Sequence, residues 1–366
     1  MKFLSSQTII KIRQIIEKAR TYLFTYRKGG VVKFKKIRRI FYRTLWEEAA
    51  SNIGAQLEDT GYGFLMIKKG NLETFVRLSE AALDDKMTLD VAGTKPLIHK
   101  ILSERGYPVP KYVEYDISTI DKAYTFLKNL DKPAVVKPTF GTGNGRGVTT
   151  GIVDLKDLKK ASYRAFAYDK SLMTEEYITG ASYRLIYLGG KFIDAVRRDP
   201  PSVTGDGSST IKELIKIENH KRLFSDPIIS LSPITLDAEC SNKLRQQGLT
   251  INTVLAKDRR VEIKDVVNEN SMHDNHIVRD MVNPAIIKLG EEIFSSTIQI
   301  NLAGLDIITT DITVPLEESG GVINEINTTP GLHHHVLVNE QDQRIPVGEM
   351  VLDYIFSKKA DYNGKS

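Results

Sequence analysis

Residues 134–151 read AVVKPTFGTGNGRGVTTG. An apolar pair, Val135-Val136, runs into Lys137-Pro138. Glycines follow at 141, 143, 145 and 147, and Val148-Thr149-Thr150 resumes β character. Pro138 and the β-branched residues on both sides argue against a helix, so the setting is strand–loop–strand. A loop this poor in side-chain bulk can close its N–H groups tightly on an anion. The two commonest glycine-rich phosphate sites both lead into a helix, and this setting excludes them. Read alone, the segment is either a phosphate-binding hairpin or a flexible hairpin tip with no ligand.

The chain around it has 366 residues, enough for two or three lobes, with the 41% hydrophobic and 27% charged make-up of an ordinary globular protein. A single cysteine, Cys240, excludes an internal disulfide framework and fits a reducing compartment. Its surroundings hold nothing that would activate a thiol, so a buried apolar role is expected. No apolar run approaches the roughly 18 residues needed to span a bilayer, and no signal peptide is visible, so the expected location is cytoplasmic. Net charge is +5, unevenly spread: residues 1–50 carry 13 Lys/Arg against three Asp/Glu, a balance of +10 that leaves the remainder at −5.

That basic arm has helical spacing. Ile9, Ile12, Ile16, Ala19 and Leu23 mark an amphipathic helix over 6–26, and Gly29-Gly30 breaks it. A second basic run, Lys33 to Arg43, carries Phe34, Ile37, Ile40 and Phe41 on one side. The expectation is a helical extension over 1–45 that packs on the body. Contact with an anionic membrane surface or an acidic partner is the alternative; no nucleic-acid-binding module is recognisable, so no nucleic acid is expected. Residues 46–92 form a short N-terminal α/β lobe, 93–180 a lobe carrying the glycine loop, and 181–366 a C-terminal lobe. Helices are expected over Thr94–Leu102, Ile120–Leu130 and Leu155–Ala167. Strands are expected at Val113–Tyr115 and Leu172–Glu175, with a hairpin of Tyr183–Leu188 and Phe192–Val196 around Gly189-Gly190. The many antiparallel hairpins favour α+β lobes.

Residues 309–330, TTDITVPLEESGGVINEINTTP, read as two strands, Ile307–Val314 and Val322–Asn327. Alternation puts Glu325 and Asn327 on one face, and Asp311 is placed to face them across the hairpin. Two carboxylates and an amide oxygen suit Mg²⁺; a solvated polar hairpin is the alternative. Three adjacent histidines, His333-His334-His335, cannot all reach one ion without unusual backbone geometry, so surface or substrate-facing histidines are expected. Arg184, Arg197 and Arg198 suggest an anion site, or an exposed basic hairpin.

Taken in order, Thr94-Lys95, VVKP with its glycine loop, TEEYITGASYR, RRDPPSVTGDG, LDIITTDI and NEINTTPGL resemble the ATP-grasp superfamily. The likeness covers about 91–335 and is closest to the ligase regions of cyanophycin synthetases and bifunctional glutathione synthetases. It implies an ATP-grasp fold, two antiparallel α+β lobes clasping ATP. Lys95 and Lys137 match the phosphate-contacting lysines, and Gly141, Gly143, Gly145 and Gly147 the loop over them. Glu175, Glu176 and Ile178 match the adenine-recognising hinge. Asp311, Glu325 and Asn327 match the ligands of Mg²⁺, with Mn²⁺ as an alternative. Arg198 matches the arginine beside the transferred phosphate, Arg184 a neighbouring basic position, and His335 a histidine that follows Pro-Gly-Leu. The implied activity is an ADP-forming carboxylate–amine ligase acting through an acyl phosphate, on amino acids or short peptides, with homo-oligomerisation compatible. A sugar or polyamine amine as acceptor, and a decayed ATP-binding regulatory or scaffold protein, are the alternatives. The chain departs from the pattern at Ser182, where the ribose-contacting position is usually acidic, and at Thr94, which replaces an aspartate. Asn268–Asp274 also lacks a Gly-Gly pair, and the second ligase modules of both named enzymes are missing.

Overall fold

The computed structural model describes residues 30–140, 145 and 147–363. The helix expected over 6–26, together with Gly141 and Gly143, lies outside the described residues. Helix α1 (Gly30–Asn52) is continuous, so the boundary drawn after residue 45 falls inside it. Phe34, Phe41, Tyr42, Trp46, Ala49 and Ala50 recur every three to four residues and are buried, while Lys33, Lys35, Lys36 and Arg39 stay exposed. The apolar stripe explains why this basic segment packs rather than dangles: it meets Val347, Val351, Leu352, Ile355 and Phe356 of a C-terminal helix. The Trp46 indole N–H donates to the Leu78 carbonyl at 2.7 Å. Residues 56–81 form an antiparallel meander, β1 (Gln56–Asp59), β2 (Leu65–Lys69), β3 (Leu72–Arg77) and β4 (Glu80–Ala81). Helix α2 (Lys86–Gly93) follows, N-capped by Asp85.

Helix α3 (Lys95–Glu104) leads into a four-stranded antiparallel sheet. Its strands are β5 (Tyr112–Tyr115), β6 (Ala134–Pro138), β7 (Thr149–Ile152) and β8 (Leu172–Glu176), in the order β5-β8-β6-β7. Helices α4 (Ile120–Lys128) and α5 (Leu155–Phe166) cover it through a core of Ala123, Leu127, Ala134, Val136, Leu158, Ala161 and Leu172. Strands β6 and β7 pair Val136 with Thr149 and Ala134 with Ile152, so the glycine segment joins two strands as its sequence dictates. Gly145 has φ of 66°, and a Cβ there would lie 2.5 Å from Val266 Cγ1. Backbone freedom and close approach both require glycine at that point.

The central sheet runs β13-β10-β9-β14-β15, all antiparallel. It comprises β9 (Ala181–Leu188), β10 (Lys191–Arg198), β13 (Asn275–Ile277), β14 (Leu302–Thr309) and β15 (Val322–Asn327). One face is apolar: Tyr183, Leu185, Tyr187, Ala195, Ala303, Leu305 and Ile326 pack with α2, α3 and α8 (Pro284–Glu292). On the opposite face Ile186, Leu188 and Leu302 join the core under α1 and α9 (Val347–Asn363), but its other end is polar. Between β10 and β13 lies an insertion with its own core of Val203, Ile211, Ile215, Cys240, Leu244, Leu255, Val261 and Ile263. It holds β11 (Ser202–Thr204), α6 (Ile211–Phe224), α7 (Ala238–Gln246) and β12 (Arg260–Glu262). The Val203-Thr-Gly-Asp-Gly motif is structural: the Asp206 carboxylate accepts the backbone N–H groups of Ser208 and Ser209. Burial pushes the Cys240 thiol up to about 12, as expected for a structural cysteine. Among the described residues no helix is long and apolar enough to cross a membrane.

Candidate active site

Antiparallel pairing places side chains of directly opposed residues on one face. Two rungs of the central sheet build the polar end in this way. Ser182 pairs with Arg198; Arg184 pairs with Asp306, which pairs in turn with Glu325. Arg184 donates to both Asp306 oxygens, Nε to Oδ1 and Nη2 to Oδ2, each at 2.7 Å. Arg198 Nη2 adds a third bond to Oδ2 at 2.9 Å and a fourth to Ser182 Oγ at 3.1 Å. All three charged groups are buried. Burial by itself would raise the Asp306 carboxyl, but the two guanidinium charges outweigh it and hold it down to about 2. Arg198 is pushed down to about 10, first by burial and then by Arg184, because one aspartate serves two arginines. Arg197 points to the other face and forks onto Asp199 at 2.9 and 3.0 Å.

This register corrects one expectation. Asp311 does not face Glu325. It lies beyond the end of β14, exposed, with Oδ1 accepting the N–H and hydroxyl of Thr313. Asp306 occupies the position opposite Glu325, across a bulge after Asp306. Glu325 is also paired with Lys95, Oε1 to Nζ at 3.0 Å, because Lys95 projects from the first turn of α3. Asn327, two residues along, stands in the same rung as Gly304, and its amide contacts Asp306 outside hydrogen-bond geometry.

Lys137 and Glu175, from adjacent strands β6 and β8, form a buried ion pair at 2.6 Å. The Glu175 side chain is thus committed to Lys137, whereas Glu176 accepts the Lys111 N–H at 2.9 Å and pairs with Lys132 at 3.2 Å. Ile178 is half-buried in the connection from β8 to β9. His99 was not singled out by its sequence; it lies under Lys137 and Lys95 with Nε2 on the Asn324 carbonyl at 3.1 Å. Burial, then the charge of Lys137, lowers it to about 3, so it is neutral.

The three histidines cover the polar face and are not surface residues. His334 and His335 are buried and His333 is half-buried. His333 Nδ1 meets the Tyr42 hydroxyl from α1 at 2.8 Å, and Arg38 stacks over the Tyr42 ring at 5.7 Å. Burial, then Arg38 and Arg184, holds His333 well below the usual histidine range. His335 Nδ1 lies 2.8 Å from Asp194 Oδ2. No sequence signal marked Tyr42, Arg38 or Asp194, since each acquires its role through distant contacts.

Among the described residues nine buried side-chain nitrogen or oxygen atoms lack a hydrogen-bond partner. Glu175 Oε2 is met by the Lys137 ion pair; of the others, all but Thr74 Oγ1 and Thr174 Oγ1 belong to residues of this region: His99, Arg198 (two atoms), Asn327, His334 and His335. Buried polar groups are normally satisfied, so this concentration points to a polar ligand. Four cations, Lys95, Lys137, Arg184 and Arg198, face three anions, Glu175, Asp306 and Glu325, and the excess suits an anionic one. No three His, Cys, Asp or Glu side chains among the described residues gather as a metal cluster. The donor set Asp306, Glu325 and Asn327 nevertheless fits a hard, oxygen-ligated cation that draws its remaining ligands from water and phosphate.

No protein-family model matches the chain. It is 30% identical over 301 residues to cyanophycin synthetase of Synechocystis sp., covering 81% of this chain and 33% of the relative. It is 27% identical over 300 residues to the glutathione biosynthesis bifunctional protein GshAB of Mannheimia succiniciproducens, covering 80% and 39%. The crystal structure of a bifunctional glutathione synthetase from Pasteurella multocida superposes with a TM-score of 0.53 at 24% identity, over 83% of this chain and 42% of that one. The chain spans about a third of the length of the curated relatives it matches. It belongs to the ATP-grasp ligases, related to the ATP-grasp regions of cyanophycin synthetase and GshAB.

Proposed function

We propose that the chain is an ADP-forming carboxylate–amine ligase that joins an amino acid or short peptide to an amine through an acyl phosphate. The observation that carries this reading is a set of cations from separate elements linked through shared neighbours: Lys137 and Lys95 both act on His99, and Lys95 pairs with Glu325 in the rung of Arg184 and Asp306. Lys95 comes from α3, Lys137 from the glycine-loop sheet, and Arg184 and Arg198 from the central sheet. Phosphoryl transfer asks a protein mainly for positioning and charge neutralisation, and this set supplies both.

Lys95 and Lys137 bind the nucleotide phosphates, exchanging their carboxylate partners for phosphate oxygens. The loop over 141–147 closes on those phosphates, and the connection after Glu175, through Glu176 and Ile178, borders the base. Ser182 stands at the ribose position. Asp306, Glu325 and Asn327 hold Mg²⁺ or Mn²⁺, which supplies charge neutralisation to the phosphates when bound; Asp306 replaces Asp311 in this role. Arg198 faces the oxyanion of the tetrahedral intermediate, helped by Arg184. The names of the relatives, cyanophycin synthetase and glutathione biosynthesis protein, support substrates of the amino-acid or peptide class. Retention of the lysines, the arginines and the oxygen donors argues against a decayed scaffold.

The test is a screen of acids and amines for substrate-dependent release of ADP and phosphate, with mass detection of the product. Release of AMP and pyrophosphate would sink the acyl-phosphate route.

A further inference from the structure

An amine acceptor is an ammonium ion at neutral pH and must lose a proton before it can attack an acyl carbon. None of Lys95, Lys137, Arg184 and Arg198 can accept one, and both Asp306 oxygens are occupied. Glu175 and Glu325 are ion-paired to Lys137 and Lys95; His335, anchored on Asp194 behind this face, offers a ring nitrogen with no partner. Asp194 lies on β10 at an even step from Arg198, in the rung that runs through Ile186 to Gly304 and Asn327, next to the rung of Arg184 and Asp306. Its carboxylate is fully buried and accepts from Arg279 Nη1 at 3.0 Å on Oδ1 and from His335 on Oδ2. A carboxylate held by an arginine only accepts hydrogen bonds, so the facing His335 Nδ1 carries the proton. In the neutral ring Nε2 is then the nitrogen that carries the lone pair. His335 is fully buried and Nε2 has no donor near it. A histidine kept only for packing would have both nitrogens satisfied or one at the surface. Asn327 Nδ2 and His334 Nδ1, from the strand and turn that lead to His335, are unsatisfied as well.

We propose that His335 is the general base of the amide-forming step, oriented by Asp194 and Arg279; this rests on the ligase reading above. Nε2 takes one proton from the ammonium, and the freed nitrogen lone pair forms the bond to the acyl carbon. The carbon–oxygen bond to phosphate breaks, phosphate leaves with the electron pair and takes the second proton from the newly bonded nitrogen, and the proton on His335 passes to water.

Hydroxylamine isolates the step, because it is unprotonated at neutral pH and attacks acyl phosphates without a base. The wild-type chain and His335→Asn are assayed with ATP, Mg²⁺ and each of the common amino acids as the acid, with hydroxylamine or a second amino acid as the nucleophile. The expected result is that His335→Asn keeps hydroxamate formation within a few-fold while amide formation falls on the order of 10²–10⁴-fold. Asp194→Asn, which keeps the volume but not the charge, shows the same split to a smaller degree and serves if the histidine variant does not fold. Parallel loss of both products, or retention of both, overturns the base assignment and leaves the ligase reading intact. A wild-type chain that releases no ADP with any acid and hydroxylamine overturns the ligase reading, and the base with it.

Discussion

Two buried charge clusters in this molecule are built on opposite rules. In the insertion, Lys264 Nζ donates to Thr235 Oγ1 at 2.6 Å and Asp237 Oδ2 at 2.7 Å, and pairs with Glu269 Oε2 at 2.9 Å. Thr235 in turn bonds Glu269, Asp237 caps α7 through the Cys240 N–H, and Glu239 accepts the Val266 N–H at 2.9 Å. Among the described residues no fully buried side-chain atom of that cluster is left unsatisfied. On the central sheet one aspartate is divided between two arginines, and polar atoms of Arg198, Asn327, His334 and His335 are left without partners. The first cluster is closed; the second leaves buried polar atoms unmet. Charge and burial do not separate them; completeness of hydrogen bonding does.

The sharpest way to break the comparison is to remove charge from each cluster. Glu325→Gln and Arg198→Met are expected to lower ADP formation on the order of 10²–10³-fold. Arg198→Met should leave the melting temperature level or raised, because its charge is incompletely compensated. A variant that unfolds would place Arg198 with the structural cluster instead. Lys264→Met should do the reverse. It removes the shared partner of Asp237 and Glu269 and costs about 2 kcal/mol in denaturant unfolding, while activity per folded molecule falls far less than in Glu325→Gln, because Lys264 Nζ pairs only inside the insertion, with Thr235, Asp237 and Glu269.

A pH series sharpens the closed cluster further. Burial raises the Glu239 carboxyl from its ordinary 4.5 to about 8. The folded chain therefore holds a proton that the unfolded chain has released, and stability falls as pH rises between those values. Glu239→Gln keeps the acceptor for Val266 and removes the titration. Its melting temperature should match the wild type near pH 4.5 and exceed it increasingly toward pH 8; a constant gap would contradict this. The smallest effect is expected at Asp311→Asn, which retains the oxygen that accepts Thr313. Activity there should change by less than about twofold, as for other exposed sites. A loss comparable with Asp306→Asn would return the metal role to Asp311.

Much of this was legible in the sequence. Proline and β-branched residues around the glycines determined a strand–loop–strand hairpin, and it is present. The alternation of Glu325 with Asn327, and the clustering of Arg184 with Arg198, were local facts that did not depend on the rest of the chain. The boundary drawn after residue 45 lies inside α1 because the basic surface pattern masks an apolar stripe that continues to Ala50.

Local patterns such as backbone torsion, side-chain alternation and helical stripes determine which elements form and which residues share a face. They do not set register between strands, because a hairpin with a long connection and a bulge can align in several ways. Only the tertiary structure therefore chose Asp306 over Asp311, brought Tyr42 to His333 across 291 positions, and set Asp194 behind His335. The glycine-rich hairpin is written in its own residues; the face that carries Arg184, Asp306 and Glu325 is written in contacts between strands far apart in the chain.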